Sequence, residues 1–210
     1  GLIVGPKLRT GPAGNEEILI LQSDISSFQD FLTAFSRVGQ FDNQTGQEML
    51  RDAILLSIAN ISSNVGYDFT QARWANRVGS NPELKFFKVN WRSNADRIII
   101  LFSDEYSQSF LVPRVQTDTV WDALDATSNL KFYAFAERRS RVWDNYADHG
   151  NGRVFELSSN QQQMYDDLMS ILDEICLSPG GQEAHNGSIP NGFFPVTMGV
   201  RYDHKLGLCY

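Results

Sequence analysis

The chain has 210 residues and a mass of 23.7 kDa, with 42% apolar and 20% charged residues. That apolar content can bury a sizeable core and excludes a wholly disordered chain, and no apolar run reaches the eighteen residues of a membrane-spanning helix. The net charge of −7 and a pI near 4.9 disfavour a nucleic-acid binder, which tracks phosphates with a basic surface.

The chain opens GLIVGPKLRTGPAG, with no apolar segment of signal-peptide length. That leaves a cytosolic protein or a sequence that begins downstream of its natural start; the register argued below favours the second. Residues 1–5 and 17–22 (EILILQ) are short apolar runs expected as strands, and the Gly- and Pro-rich link between them favours a hairpin. Over 27–38, Phe28, Phe31, Leu32, Phe35 and Val38 recur at spacings of three and four, which predicts a short amphipathic helix. Residues 39–47 are a polar loop, and 48–61 (EMLRDAILLSIANI) are a helix apolar enough to be mostly buried. Residues 62–90 are polar and aromatic without a clear period and are expected as an elaborated connection.

The strongest strand is 97–103 (RIIILFS), whose unbroken apolar run predicts cover on both faces. A helix over 118–126 follows, capped by Asp118 or Thr117, then a strand over 130–136 and a polar stretch, 138–148, with room for a helical turn. A strand over 153–157 precedes a helix over 160–176, with Asn160 as N-cap and Gln163 placed as in a capping box. Its apolar stripe is Met164, Leu168, Ile171, Leu172, Ile175 and Cys176. From residue 97 onward strands alternate with helices, which predicts an α/β fold: a doubly wound, mostly parallel sheet flanked by helices. The organisation expected is one α/β domain over 1–177 and an irregular extension over 178–210, rich in Gly, Pro and Asn, with an extended segment in FFPVTMGVRY.

The chain has two cysteines, Cys176 and Cys209; they are either free thiols or one disulfide tying the tail to the last helix. Sequons at Asn43, Asn60 and Asn186 are candidate glycosylation sites and tilt toward a secreted or cell-surface protein.

The most informative stretch is Arg97–Glu105, where Ser103-Asp104-Glu105 follows a buried strand. An acidic residue there stands at the carboxyl edge of the sheet, where open α/β folds bind ligands and metals. The run NWRSNADRIIILFSDEYSQSF resembles the fourth strand of von Willebrand factor A domains, in particular secreted bacterial members. Residues 38–54 are similar to the family's threonine-bearing loop and the helix after it, and 131–136 and 143–176 to its last two strands and last helix. The resemblance implies adhesion or protein–protein recognition at the carboxyl edge, with a divalent cation (Mg²⁺, Mn²⁺ or Ca²⁺) held by hard oxygen ligands. Asp104 matches the family's last metal-binding aspartate and Thr45 its threonine; Glu105, Ser107 and Ser109 would line the partner-binding edge.

The family's Asp-x-Ser-x-Ser loop has no match. Asp24-Ile-Ser26-Ser27-Phe28 ends in Phe and leaves too few strands before residue 97, and Asp104 to Ser109 has one residue too many. The preferred register makes 1–5 and 17–22 the second and third strands, with the first upstream of residue 1, on a partner chain, or replaced by a filler such as 193–202.

Each site residue has a plainer reading. Asp104 could cap a helix or bind loop amides, Thr45 could cap the helix it precedes, and Arg138, Arg139 and Arg141 form a solvated basic face or a contact for an acidic partner. His149, His185 and His204 have no metal-ligand spacing. Asp148-His149 could orient a base, but no activated nucleophile accompanies it, so the chain is expected not to be an enzyme. The expectation is a recognition module whose partner is another protein or a further chain of its assembly, with no nucleic acid and no membrane insertion. The alternatives are a structural subunit that uses the fold without metal and, less favoured, an α/β hydrolase.

Overall fold

The computed structural model describes residues 1–4, 19–37, 49–59, 66–74, 89–93, 95–104, 106–136 and 141–177. Among them, three parallel strands form the centre: β4 (Arg97–Ser103), β6 (Leu130–Ala136) and β7 (Val154–Glu156), side by side in the order β4-β6-β7. The register runs Arg97↔Leu130 to Ser103↔Ala136, then Ala134↔Val154 to Ala136↔Glu156. Before them come β1 (Leu2–Val4), β2 (Ile20–Ser23) and β3 (Arg73–Trp74), and β5 (Leu111–Val112) follows β4. β1 pairs antiparallel with β2, and β3 with β5.

The helices are α1 (Phe28–Phe35), α2 (Leu50–Ile58), α3 (Thr117–Asp125), α4 (Val142–His149) and α5 (Gln161–Leu177). They cover both faces of the parallel sheet. On one face, Leu55, Leu56 and Ile58 of α2, Val120, Ala123 and Leu124 of α3, and Trp143, Tyr146 and Ala147 of α4 close over Leu101, Leu130, Phe132, Ala134 and Ala136. Ile3, Leu21 and Ile25, from β1, β2 and the turn after it, pack against the same core. On the other face α5 sets Ile171 against Tyr133 and Phe135, with Met164, Leu168 and Ile175 beside it. The alternation of a strand sends odd and even residues to opposite faces, so β4 and β6 feed both cores.

The expected hairpin is present as β1–β2, and the strands over 97–103 and 130–136 form with those bounds. Asn160 caps α5: its Oδ1 accepts from the N–H groups of Gln162 (3.0 Å) and Gln163 (3.3 Å). Four expectations need correction. The stretch after β6 is a full two-turn helix, α4, because Trp143, Tyr146 and Ala147 recur on one side and are buried. α3 starts after Gln116, with no side chain capping it, and Asp118 accepts from the neighbouring Thr119 N–H instead. Gln163 does not reach back to close a capping box; its Nε2 donates to Asp167 Oδ1 at 2.9 Å. β4 is not covered evenly on both faces: Leu101 is buried, but Phe102 on the α5 side is 49% exposed. Residues 178–210 lie outside the described residues. Among the described residues no helix is long and apolar enough to cross a membrane.

Candidate functional site

β4 delivers the chain to the carboxyl edge of the sheet, and residues 104–110 carry it across to β5. Asp104 is exposed there, and Tyr106 is 61% exposed. Ser107 and Ser109, expected to line a partner-binding edge, are instead turned inward and buried. Ser107 Oγ and the Tyr146 hydroxyl share a hydrogen bond of 3.1 Å. Ser109 Oγ donates to Asp52 Oδ1 at 2.6 Å and accepts from the Val115 N–H at 3.0 Å.

The anchor of this loop is Asp52, which is fully buried in α2. It precedes Leu55 and Leu56 by three and four residues, so helical spacing aims its carboxylate into the same core. Oδ2 accepts from the Phe110 N–H at 2.6 Å. The Arg51 N–H donates to Gln108 O at 3.1 Å, and Arg51 Nη1 to Val115 O at 3.3 Å. The first turn of α2 and the segment 107–115 are therefore one hydrogen-bonded unit. Burial pushes the Asp52 carboxyl up to about 6, outweighing the donors Ser109, Phe110 and Leu111 and the charge of Arg51. Tyr67, whose hydroxyl donates to Pro113 O at 2.5 Å, is pushed up to about 12 by burial and by the charge of Asp52. Sequence reasoning missed Asp52. The available signal was an acidic residue on the apolar stripe of a helix expected to be buried.

The helix that follows the Thr45 loop thus begins against the Asp104 loop, at the carboxyl edge. Thr45 itself, Glu105, Arg138 and Arg139 lie outside the described residues, as do Asn43, Asn60, Asn186, His185, His204 and Cys209. The backbone of Cys176 is in the last turn of α5; its side chain lies outside the described residues. Among the described residues no three His, Cys, Asp or Glu side chains converge as a metal site. The hydroxyls of Ser107 and Ser109 are committed internally, and among the described residues of the loop Asp104 is the carboxylate on its outer side.

The near miss Asp24-x-Ser26 stands elsewhere. Asp24 Oδ1 accepts from the Ile25 N–H at 2.7 Å and the Asn90 N–H at 2.9 Å, and Oδ2 accepts from the Asn90 side-chain amide. Against a burial cost, these bonds and the chain's amino terminus hold its carboxyl below the usual range. Next to Asn90, Trp91 Nε1 donates to Ser57 O at 2.7 Å, at the carboxyl end of α2. Arg51 meets the Asp104 loop at the other end, about 9 Å away at 1.5 Å per residue. Ser27 is the N-cap of α1, accepting from the Asp30 N–H at 3.2 Å. These residues cap and turn the chain, and do not join Asp104.

His149 sits at the end of α4, before the turn into β7, at the amino edge of the sheet. Its Nδ1 is 2.8 Å from Asp125 Oδ2, and its ring stacks on Trp121 with centroids 5.1 Å apart. Asp148, the expected orienting group, is exposed, and among the described residues no hydroxyl or thiol is hydrogen-bonded to Asp148 or His149. Arg141 is exposed at the start of α4. Comparison of the chain with protein-family models, with curated proteins and with solved structures gives no match in any of the three.

Proposed function

We propose that this chain is a protein-recognition module of the von Willebrand factor A type, secreted or displayed at a cell surface, which binds its partner at the carboxyl edge of the sheet. The observation that carries this reading is the division of labour in the loop after β4. Its root is clamped inside by Asp52, Ser109 and Tyr146, while Asp104 and Tyr106 stand outward. A rigidly held loop presents its outer groups without the entropy cost of ordering them on binding. An exposed aromatic beside a carboxylate suits a protein-binding surface, where Tyr is a favoured anchor. A divalent cation would be held by Asp104 with Thr45 from the loop preceding α2, and the partner's carboxylate would complete its shell.

The test is a photo-reactive tyrosine analogue at position 106, used in the natural setting of the protein, with a second analogue at Asn151 on the opposite edge. Capture of a defined protein at 106, lost with Asp104→Ala and absent at 151, is expected. Equal capture at both positions sinks the reading. Paramagnetic Mn²⁺ decides the role of the cation: amide broadening centred on 104–107 and on Thr45 is expected, and broadening centred elsewhere removes the cation from this edge.

A second reading, a structural subunit of a multi-chain assembly that uses this fold without metal, draws on α1. That helix displays Leu32 and Phe35 at 38% and 55% exposure. Its mark is assembly that survives chelation and Asp104→Ala but fails with Phe35→Ser.

A further inference from the structure

β4 has a described strand on one side only. The Arg97 N–H donates to Asn129 O at 2.7 Å, on the β6 side. In a strand, alternate residues direct their N–H and C=O groups to opposite edges. The odd positions of β4 therefore serve β6, and the backbone groups of Ile98, Ile100 and Phe102 point to the outer edge, where no described strand pairs with them. The side chains of the same three residues lie on the α5 face. There Ile98 and Ile100 are half-buried and Phe102 is 49% exposed, stacked on Phe135 with centroids 4.8 Å apart. α5 leans the other way: Glu174 is bonded to Arg153 (2.9 Å) at the start of β7 and to Lys131 (3.2 Å) of β6. Among the described residues the result is an open edge with an apolar flank, which native sheets rarely leave uncovered.

We propose that residues 194–202 of this same chain, outside the described residues, add to this edge as a parallel strand. Three observations select that occupant. The first is handedness. The steps from β4 to β6 through α3, and from β6 to β7 through α4, advance one way along the sheet with both helices on one face. α5 lies on the opposite face. Parallel crossovers share one hand, so a strand after α5 has to step back the other way. The first position in that direction without a described strand is the outer edge of β4.

The second is direction and reach. The bonds of Glu174 to Lys131 and Arg153 put the end of α5 at the amino edge of the sheet, so a strand entered from there runs parallel to β4. The outer edge lies about two strand spacings, roughly 10 Å, from β6. Residues 178–193 span up to about 53 Å at ~3.3 Å per residue.

The third is pattern. Phe194, Val196, Met198, Val200 and Tyr202 alternate with Pro195, Thr197, Gly199 and Arg201. Such a strand has one apolar row to lay beside Ile98, Ile100 and Phe102. Pro195 stands at the entrance of the strand, ahead of the paired stretch 196–202, where a missing N–H is tolerated.

Amide hydrogen exchange of the full chain, read residue by residue by NMR, tests this. The amides of Ile98, Ile100 and Phe102 and alternate amides within 196–202 are expected to exchange at least about 100-fold slower than in the unfolded chain. Gly199→Pro, which removes an N–H directed at β4 in this register, is expected to raise exchange at Ile98, Ile100 and Phe102 at least about 10-fold while Ile99 and Leu101, bonded to β6, stay protected. Unprotected amides throughout 196–202 overturn the proposal. So does protection of the β4 edge that is unmoved by Gly199→Pro; dependence of that protection on protein concentration would then assign the edge to a second copy, and independence to another segment of the chain.

Discussion

The two faces of the parallel sheet are closed by different means. On the α2–α4 face, three helices and the β1–β2 hairpin surround Leu101, Phe132, Ala134 and Ala136, and even the carboxylate of Asp52 is enclosed with donors on both oxygens. On the α5 face a single helix covers β6 and β7, and its margin is held by charge: Glu174 accepts from Lys131 and from the Tyr133 hydroxyl (2.8 Å) and pairs with Arg153. The difference teaches where this fold is rigid and where it remains open to a further element. The enclosed face aims the carboxyl-edge loop; the thinly covered one leaves β4 exposed at Phe102.

The largest expected effect is on the enclosed face. Phe132→Ala removes a fully buried ring among Tyr146 and its neighbours and is expected to cost about 4 kcal/mol, read from the urea midpoint at constant m. Ile171→Ala, at the one fully buried position among the described side chains of α5, is expected to cost about 3 kcal/mol. A larger loss at Ile171 than at Phe132 would reverse the contrast between the faces.

Acid separates the faces by sign. The folded value of Asp52, about 6, lies above its ordinary 3.8, so the fold holds that proton more tightly than the unfolded chain. Its share of stability is complete below about pH 4, is lost as pH rises toward 6, and amounts to at most about 3 kcal/mol, from roughly two pKa units at 1.4 kcal/mol each. Asp52→Asn is expected to flatten that part of the stability profile, measured by denaturant titrations between pH 4 and 7; an unchanged slope would remove Asp52 as its source.

Glu174 behaves oppositely and more weakly. Burial pushes its carboxyl up, but hydrogen bonds from Tyr133 and Lys131 and the charges of Lys131 and Arg153 outweigh that and hold it below 4.5. Its contribution is present above the unfolded value and is lost as pH falls through the lowered one. Because the group is about a third exposed, Glu174→Gln is expected to cost only about 1 kcal/mol near neutral pH. In 1 M salt the cost should shrink, whereas that of Phe132→Ala should not.

Local pattern was enough for much of the fold. The apolar run 97–103, the strand 130–136, the period of α5 and its Asn160 cap were legible because each depends on residues within a turn or a strand of one another. The alternation of strands and helices after residue 97 likewise announced a parallel sheet with helices on both faces. The candidate site was legible only at Asp104, which follows its strand directly.

What tertiary contact decided was the use made of the polar groups. Asp52 meets Ser109 across 57 residues, Ser107 meets Tyr146 across 39, and His149 meets Asp125 across 24. No local period encodes such pairs. The same serines read as solvated edge or as buried clamp until α2 and α4 are packed against them, because a hydroxyl goes inside only where a partner awaits it. The uneven cover of β4 was hidden for a related reason: four consecutive apolar residues predict burial, but which strand and which helix lie alongside is settled by the order of the sheet.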